Sequence, residues 1–310
     1  MTVKVLFAAR EGLWEEYEGP LLRAFAELGV AVDLAQEHAP EEVDYVIYAP
    51  HDGLADFAPF ARCKAVFSLW AGVEQIVTNP TLTQPLAKMI NPDLTAGMVE
   101  WVTGHVMRHH LGMDRHILGQ SGVWDPQVPP LAKDRPVTVL GLGTLGVACA
   151  QALAGLGFPV TGWSRSAKDV AGVRCISGEM GMNDALQGAK IVVLLLPDTA
   201  ATTNAINADT LALLAPGAFV INPGRGPLID DEALLAALES GQVAHATLDV
   251  FRVEPLPKEH PFWAHPQVTV TPHIAAETRP ATAAAEVAKN LAGFETGAPL
   301  QGLVDRSAGY

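Results

Sequence analysis

The chain has 310 residues, 49% of them hydrophobic, with a formal charge of −14 and a pI near 5.1. That length accommodates two domains of ordinary size, each able to bury its own core. With no Lys/Arg cluster beyond isolated pairs to interrupt it, this acidity excludes nucleic acid and anionic membrane surfaces as partners.

The chain opens MTVKVLFAAREGLWEEYEG, which lacks the long apolar segment of an export signal and reads as a first strand and helix. Cys63, Cys149 and Cys175 are scattered through apolar or strand-like stretches with no C-x-x-C pair. They read as reduced core thiols and point to a cytoplasmic protein. Strand-like runs at 3–9, 30–34, 45–48 and 65–69 alternate with helical or loop segments such as 14–28, so the first third is an α/β unit without a glycine fingerprint. Residues 96–110 are predicted as a long bridging helix, and 121–136, with four prolines, as an irregular arm.

That helix contains GHVMRHH, with His105 and His109 four apart on one face. A zinc-protease helix needs glutamate after the first histidine, where this chain has Val106. The histidines therefore read as members of a solvated or interface helix, and no metal is expected.

At Val137 the alternation restarts. Strands are predicted at 137–140, 160–163, 173–176, 191–196, 218–222, 246–251 and 268–271, with a helix at 147–156 and a final helix at 276–294 that returns to the first domain. Residues 136–164 carry no charge, yet six glycines and two prolines make them a buried strand-turn-helix-strand unit rather than a membrane span. Apolar runs such as IVVLLL imply parallel strands covered on both faces.

The restart carries VTVLGLGTLG, a G-x-G-x-x-G fingerprint formed by Gly141, Gly143 and Gly146 between a strand and a helix. The first glycine makes the tight turn, the second admits a pyrophosphate to the backbone, and the third lets helix and strand pack closely. Thr144 and Leu145 open the helix whose N-terminus meets the phosphates. An NAD-specific site places an acid about 20 residues beyond the first glycine. This chain has Gly162-Trp163-Ser164-Arg165-Ser166 there, with Lys168 nearby. With no carboxylate to repel a 2′-phosphate, and Arg165 with Ser164 or Ser166 to bind one, the pattern predicts NADP(H) in preference to NAD(H), which remains possible.

Three later segments each end a predicted strand with a chemically capable group: Arg225 in INPGRGPLID, Glu254 in LDVFRVEPLP and His273 in VTPHIAAET. Strand carboxyl ends are where open α/β sheets place ligands. A guanidinium can clamp a carboxylate, an imidazolium can supply a proton to a carbonyl oxygen, and a carboxylate beside the imidazole keeps it charged near neutrality. Each residue alone has a bland structural explanation. Their joint order downstream of a nucleotide fingerprint points to hydride transfer to a 2-oxo acid.

GLGTLG, LLLPDTAATTN, INPGRGPLIDDEAL, LDVFRVEPLPKEHPFWAHPQVTVTPHIAA and SLWAGVEQI together resemble the D-isomer-specific 2-hydroxyacid dehydrogenases, over nearly the whole length and most closely the glyoxylate/hydroxypyruvate reductase A branch. The resemblance implies two Rossmann-like or flavodoxin-like domains with parallel sheets, the cofactor domain (99–275, with a dimerisation helix and arm) inserted into the substrate domain (1–98 with 276–310). It implies that Arg225 binds the substrate carboxylate and carbonyl, that His273 donates the proton with Glu254 in support, and that backbone amides around Trp70, Ala71, Gly72 and Val73 hold the carboxylate. Trp70 stands where many relatives have glycine, and core packing explains it equally well. On the cofactor side the resemblance implies Pro223 and Gly224 at the nicotinamide half, Asp249 at its carboxamide, Leu196 and Pro197 at the adenosine side, and His273 and Ala275 along the strand-end turn. It also implies a homodimer with Trp124 at the interface. A dehydrogenase-like binding protein without turnover, and a relative acting on a bulkier 2-oxo acid, remain as alternatives.

Overall fold

The computed structural model describes residues 2–51 and 53–306. The chain folds as two compact units: one runs to Leu94 and takes in the segment from Thr278 onward, and the other is Thr95–Glu277.

The first unit holds a five-stranded sheet of β1 (Val3–Ala8), β2 (Val32–Ala35), β3 (Tyr45–Tyr48), β4 (Ala65–Ser68) and β5 (Leu86–Ala87), in the order β2-β1-β3-β4-β5. All its pairings are parallel. Side chains alternate between faces, so Val5 and Phe7 join one core while Leu6 and Ala8 join another. The first of these cores is roofed by the Leu13–Glu27 and Pro280–Glu295 helices, which pack on each other through Leu21, Phe25, Val287 and Leu291. The expected return of the last helix is thus observed, but it starts four residues later than the apolar pattern suggested. Pro280 occupies the first turn and Arg279 is held extended before it, which fixes the start.

The second unit is a seven-stranded parallel sheet of β6 (Val137–Leu140), β7 (Val160–Ser164), β8 (Val173–Ser177), β9 (Ile191–Leu194), β10 (Ala218–Asn222), β11 (Val243–Leu248) and β12 (Val268–Val270). Its order is β12-β11-β10-β9-β6-β7-β8. From β6 the chain first builds outward to β7 and β8, then crosses to β9 on the other side, so the order reverses between β6 and β9. A crevice opens at the carboxyl ends of strands at such a switch point. Both faces are covered: Cys149, Ala150 and Leu153 of the Thr144–Gly155 helix pack on Val139 and Val193, and Leu234 and Leu238 of the Asp231–Glu239 helix pack on Val220 and Leu248. The uncharged stretch 136–164 is therefore β6, a helix and β7. No helix among the described residues is long and apolar enough to cross a membrane.

Two strands end earlier than their apolar runs. β9 stops at Leu194 and β11 at Leu248, and the residues beyond them lie in loops past the carboxyl ends of these strands. The bridging helix is Pro92–Leu111, longer than expected at its start because the Asn91 side chain accepts from the Asp93 amide at 2.7 Å. The expected irregular arm has neither helix nor strand from Gly119 to Leu131.

Candidate active site

The loop after β6 divides the work of its three glycines. Gly141 has φ +105°, and a Cβ there would lie 2.4 Å from the Leu195 carbonyl oxygen beyond β9. At Gly146 a Cβ would fall 1.7 Å from the Gly141 carbonyl oxygen, so the helix sits on the turn at a distance only glycine permits. A Cβ at Gly143 would meet nothing within 4 Å, leaving open space beside the backbone. Gly143 is also the N-cap of the Thr144–Gly155 helix and offers no side-chain acceptor to the first-turn amides. Gly143 and Thr144 are exposed, whereas Leu145 packs partly on the core. Unpartnered amides at a helix start, with room in front of them, fit the phosphates of a dinucleotide.

At the end of β7, Ser164 is buried and its hydroxyl donates to the Ser166 carbonyl at 2.8 Å, closing a turn that carries Arg165 and Ser166 to the surface. The acid expected of an NAD-type ribose site is absent from 164–168; the nearest is Asp169. Across the switch point Leu196 is buried in the core and Pro197 is half-buried, with its carbonyl accepting from the Thr202 hydroxyl at 2.6 Å.

The strand-end residues form a linked set. His273 Nδ1 lies 2.8 Å from Glu254 Oε2, and the other Glu254 oxygen accepts from the Phe251 amide at 2.8 Å. The imidazole is about half exposed, 53% by side chain. Its hydrogen bond to Glu254, opposed by desolvation and assisted by the Glu254 charge, raises its pKa above the ordinary histidine value. Partial burial works against the Glu254 carboxylate. The bonds from His273 and the Phe251 amide, with the His273 and Arg225 charges, outweigh it and hold the carboxyl below its ordinary value. With Nδ1 committed to the carboxylate, Nε2 is the ring nitrogen left to exchange a proton.

Arg225 sits in a turn built by Asn222, whose side-chain amide donates to the Arg225 carbonyl at 2.9 Å and whose side-chain oxygen accepts from the Gly224 amide at 3.1 Å. Pro223 and Gly224 are buried beneath it, and Arg225 Nη1 donates to the Gly224 carbonyl. The N-P-G signal for this turn was present in the sequence, but Asn222 had no role assigned to it.

Asp249 is wholly buried. Oδ1 accepts from the Thr271 hydroxyl at 2.5 Å and the Ile274 amide at 3.0 Å, and Oδ2 accepts from the buried Ala275 amide at 2.8 Å. This residue builds the 271–275 turn, a duty that sequence reading missed because its partners lie more than twenty residues away. In the first unit, Trp70 packs partly against the core, Ala71 and Gly72 are half-buried, and the Val73 side chain is buried. The tryptophan thus does the packing that was one of its two explanations.

The expectation of a solvated or interface set of histidines needs correction. His109 and His110 are buried in the second unit, His109 stacked on Phe219 with Nε2 2.8 Å from the Thr247 hydroxyl, and His110 edge-on to Phe158. The helix lays that face on β10 and β11, which a helical period cannot reveal. No group of three metal-ligating side chains occurs among the described residues.

A glycine cradle at a parallel-sheet switch point, beside an imidazole–carboxylate pair and a guanidinium loop, defines a dinucleotide-dependent oxidoreductase. The model of the D-isomer specific 2-hydroxyacid dehydrogenase NAD binding domain matches residues 102–275. The chain belongs to the D-isomer specific 2-hydroxyacid dehydrogenase family. Glyoxylate/hydroxypyruvate reductase A of Serratia proteamaculans (strain 568) is 39% identical over 279 residues, covering 87% of this chain and 88% of the relative. The crystal structure of a D-isomer specific 2-hydroxyacid dehydrogenase from Xanthobacter autotrophicus Py2, in complex with NADPH and MES, aligns with a TM-score of 0.90 at 39% identity over 98% of this chain and 99% of the other. An NADPH-dependent glyoxylate/hydroxypyruvate reductase from Sinorhizobium meliloti, in complex with NADP and sulfate, aligns at 0.87 with 34% identity, over 99% and 100% of the two chains.

Proposed function

We propose that this chain is an NADPH-preferring reductase of small 2-oxo acids, glyoxylate and hydroxypyruvate, with residues 99–275 as cofactor domain and 1–98 with 276–310 as substrate domain. The observation that carries the reading is the 2.8 Å contact between His273 and Glu254 in the unit that bears the glycine cradle. The reductase relatives at 39% identity and the NADPH-bound neighbour support the substrate class and the cofactor. The Arg165 turn without a carboxylate supports the phosphorylated form.

A bound nicotinamide supplies the hydride. Arg225 clamps the 2-oxo acid carboxylate by charge-assisted hydrogen bonds and orients its carbonyl. Glu254 keeps His273 protonated, and the Nε2 proton passes to the carbonyl oxygen as negative charge develops there. Pro223, Gly224 and Ala275 would hold the nicotinamide half and Leu196 and Pro197 the adenosine side, with Asp249 fixing the turn that carries Ala275. The raised pKa of His273 extends toward higher pH the range in which the imidazole holds the proton that the product hydroxyl requires.

The protein acts as a cytoplasmic homodimer. The arm exposes Val123, Trp124, Val128 and Leu131, apolar side chains of the kind that mark an interface, and Trp124 is 94% exposed. Light scattering at micromolar concentration tests this, a monomer refuting it. For the activity, glyoxylate, hydroxypyruvate, pyruvate and phenylpyruvate are each offered with NADPH and with NADH while absorbance at 340 nm is followed. Turnover strongest with NADPH and with glyoxylate or hydroxypyruvate supports the reading; turnover only with phenylpyruvate, or NADPH binding with no turnover, refutes it.

A further inference from the structure

We infer that Arg252 is a positioning residue that sets the Arg225 loop against the Glu254–His273 pair; the inference rests on the catalytic reading proposed above. Three segments leave the carboxyl ends of three adjacent strands: one from β9 through Asn204, one from β10 through Arg225 and Ile229, and one from β11 through Arg252 and Glu254. The first two are tied to each other by backbone, the Asn204 amide donating to the Pro227 carbonyl at 2.8 Å and the Ile206 amide to the Leu228 carbonyl at 2.9 Å, and a single guanidinium from the third reaches both. Arg252 Nη2 donates to the Asn204 side-chain oxygen and to the Ile229 carbonyl, and it lies 3.4 Å from the Pro227 carbonyl. Its Nε faces Asp231 at 3.7 Å, and Asp231 in turn faces His260 at the same distance.

The position of this strut is what gives it consequence. Pro227 is two residues after Arg225, and Arg252 is two residues before Glu254. The two loops also touch through backbone, because a Cβ at Gly226 would lie 1.9 Å from the Phe251 carbonyl carbon. That contact sets how close the loops come, while the planar, multiply bonded guanidinium sets how one slides along the other. Asn204 has φ 55°, so the strut ends on a residue whose left-handed backbone fixes where its side chain points. Arg252 needs to touch neither substrate nor cofactor for this. Displacing a clamp by about 1 Å costs on the order of a hundredfold in rate.

The test compares Arg252→Ala and Asn204→Gly with the native protein, using NADPH and whichever of glyoxylate and hydroxypyruvate is turned over. Asn204→Gly deletes the acceptor while suiting the left-handed backbone and leaving the Arg252 charge in place. Activity is normalised to sites titrated by NADPH fluorescence. Both variants are expected to bind NADPH as the native protein does, to lose about tenfold or more in kcat/KM for the oxo acid, and to show the alkaline fall in rate at lower pH as the Glu254 contact loosens. A role in stability alone would lower the melting temperature but leave per-site kcat/KM and the pH profile unchanged, and that result would overturn the inference. If Arg252→Ala does not fold, Asn204→Gly decides by the same criteria. His273→Asn and Arg225→Ala run alongside: native turnover in either sinks the catalytic reading, whereas their inactivity with a native profile in Asn204→Gly sinks only the strut.

Discussion

Asp249 holds His273 by its backbone as well as through the turn around it: the Asp249 carbonyl accepts the His273 amide at 2.8 Å. That bond, with a second from the same amide to the Thr271 carbonyl at 3.1 Å, locks His273 at φ 55°, a conformation uncommon outside glycine. Strain of this kind persists only where the surroundings over-determine it. Here the over-determination is the Asp249 carboxylate, which draws in Thr271, Ile274 and Ala275 on either side of the histidine.

Asp249→Ala is therefore expected to lower stability, because the buried Ala275 amide and the Ile274 amide lose their acceptor. An unsatisfied buried donor costs about 1–3 kcal/mol. Urea unfolding of the purified variant measures the loss. A midpoint equal to the native one would show that the carboxylate does not hold the turn.

Glu254→Gln keeps an acceptor for the Phe251 amide but removes the charge beside the imidazole. With His273 in its proposed role as proton donor, charged below its raised pKa, the rate of oxo-acid reduction is expected to be flat at lower pH and to fall as pH rises through that value. In the variant the fall is expected at lower pH, with a loss of about tenfold or more at pH 7.5 if the acid contributes its usual share. Initial rates from pH 5.5 to 9.5 under saturating NADPH decide it. A reduction rate that climbs steadily with pH in the native protein would remove the acid role of His273.

Arg165→Asp replaces the cation at the end of β7 with the acid that an NAD-type ribose site carries. A charge-assisted hydrogen bond to phosphate is worth about 1.5–3 kcal/mol, so kcat/KM for NADPH is expected to drop on the order of ten- to a hundredfold. NADH, lacking the 2′-phosphate, should be used as well as before or better. The ratio of the two kcat/KM values is the readout, and an unchanged ratio defeats the assignment.

What was legible in the sequence was whatever a short stretch carries by itself. Gly141, Gly143 and Gly146 announce backbone chemistry within six residues, and Arg225, Glu254 and His273 each follow, within six residues, a strand that apolar runs can locate. Helix starts were displaced where a local device overrides periodicity, as with Asn91 and Pro280. Out of reach were the groups whose duty depends on distant partners. Asp249 reads as a strand-end acid until the 271–275 turn is folded over it. His109 reads as a surface residue until β10 and β11 supply Phe219 and Thr247. Arg252 was one letter in a motif until three loops converged on its guanidinium.

The buried histidines give the last prediction, one about acid stability. His109 has its pKa pushed down to about 2, chiefly by burial and then by the neighbouring His245, with Arg108, His105 and Arg135 adding to it. His245, its ring 5.1 Å from that of His109 and its Nε2 2.8 Å from the Thr269 hydroxyl, is pushed down to about 4, chiefly by burial and then by Arg108, against the opposing charge of Asp114. Both are neutral in the folded protein and take up protons on unfolding below the ordinary histidine pKa near 6.5. The unfolded state thus binds more protons than the folded one, and stability rises with pH across this window. From about pH 6.5 downward each histidine removes on the order of 1.4 kcal/mol per pH unit once fully engaged, His245 ceasing to contribute below about 4 while His109 continues. Urea midpoints at pH 7.5, 5.5 and 4.5 should fall progressively, and His245→Gln, which keeps a polar partner for Thr269 but cannot titrate, should flatten the upper part of that fall. Equal slopes for the native protein and the variant would mean that acid sensitivity resides elsewhere and that His245 is not held neutral by its burial.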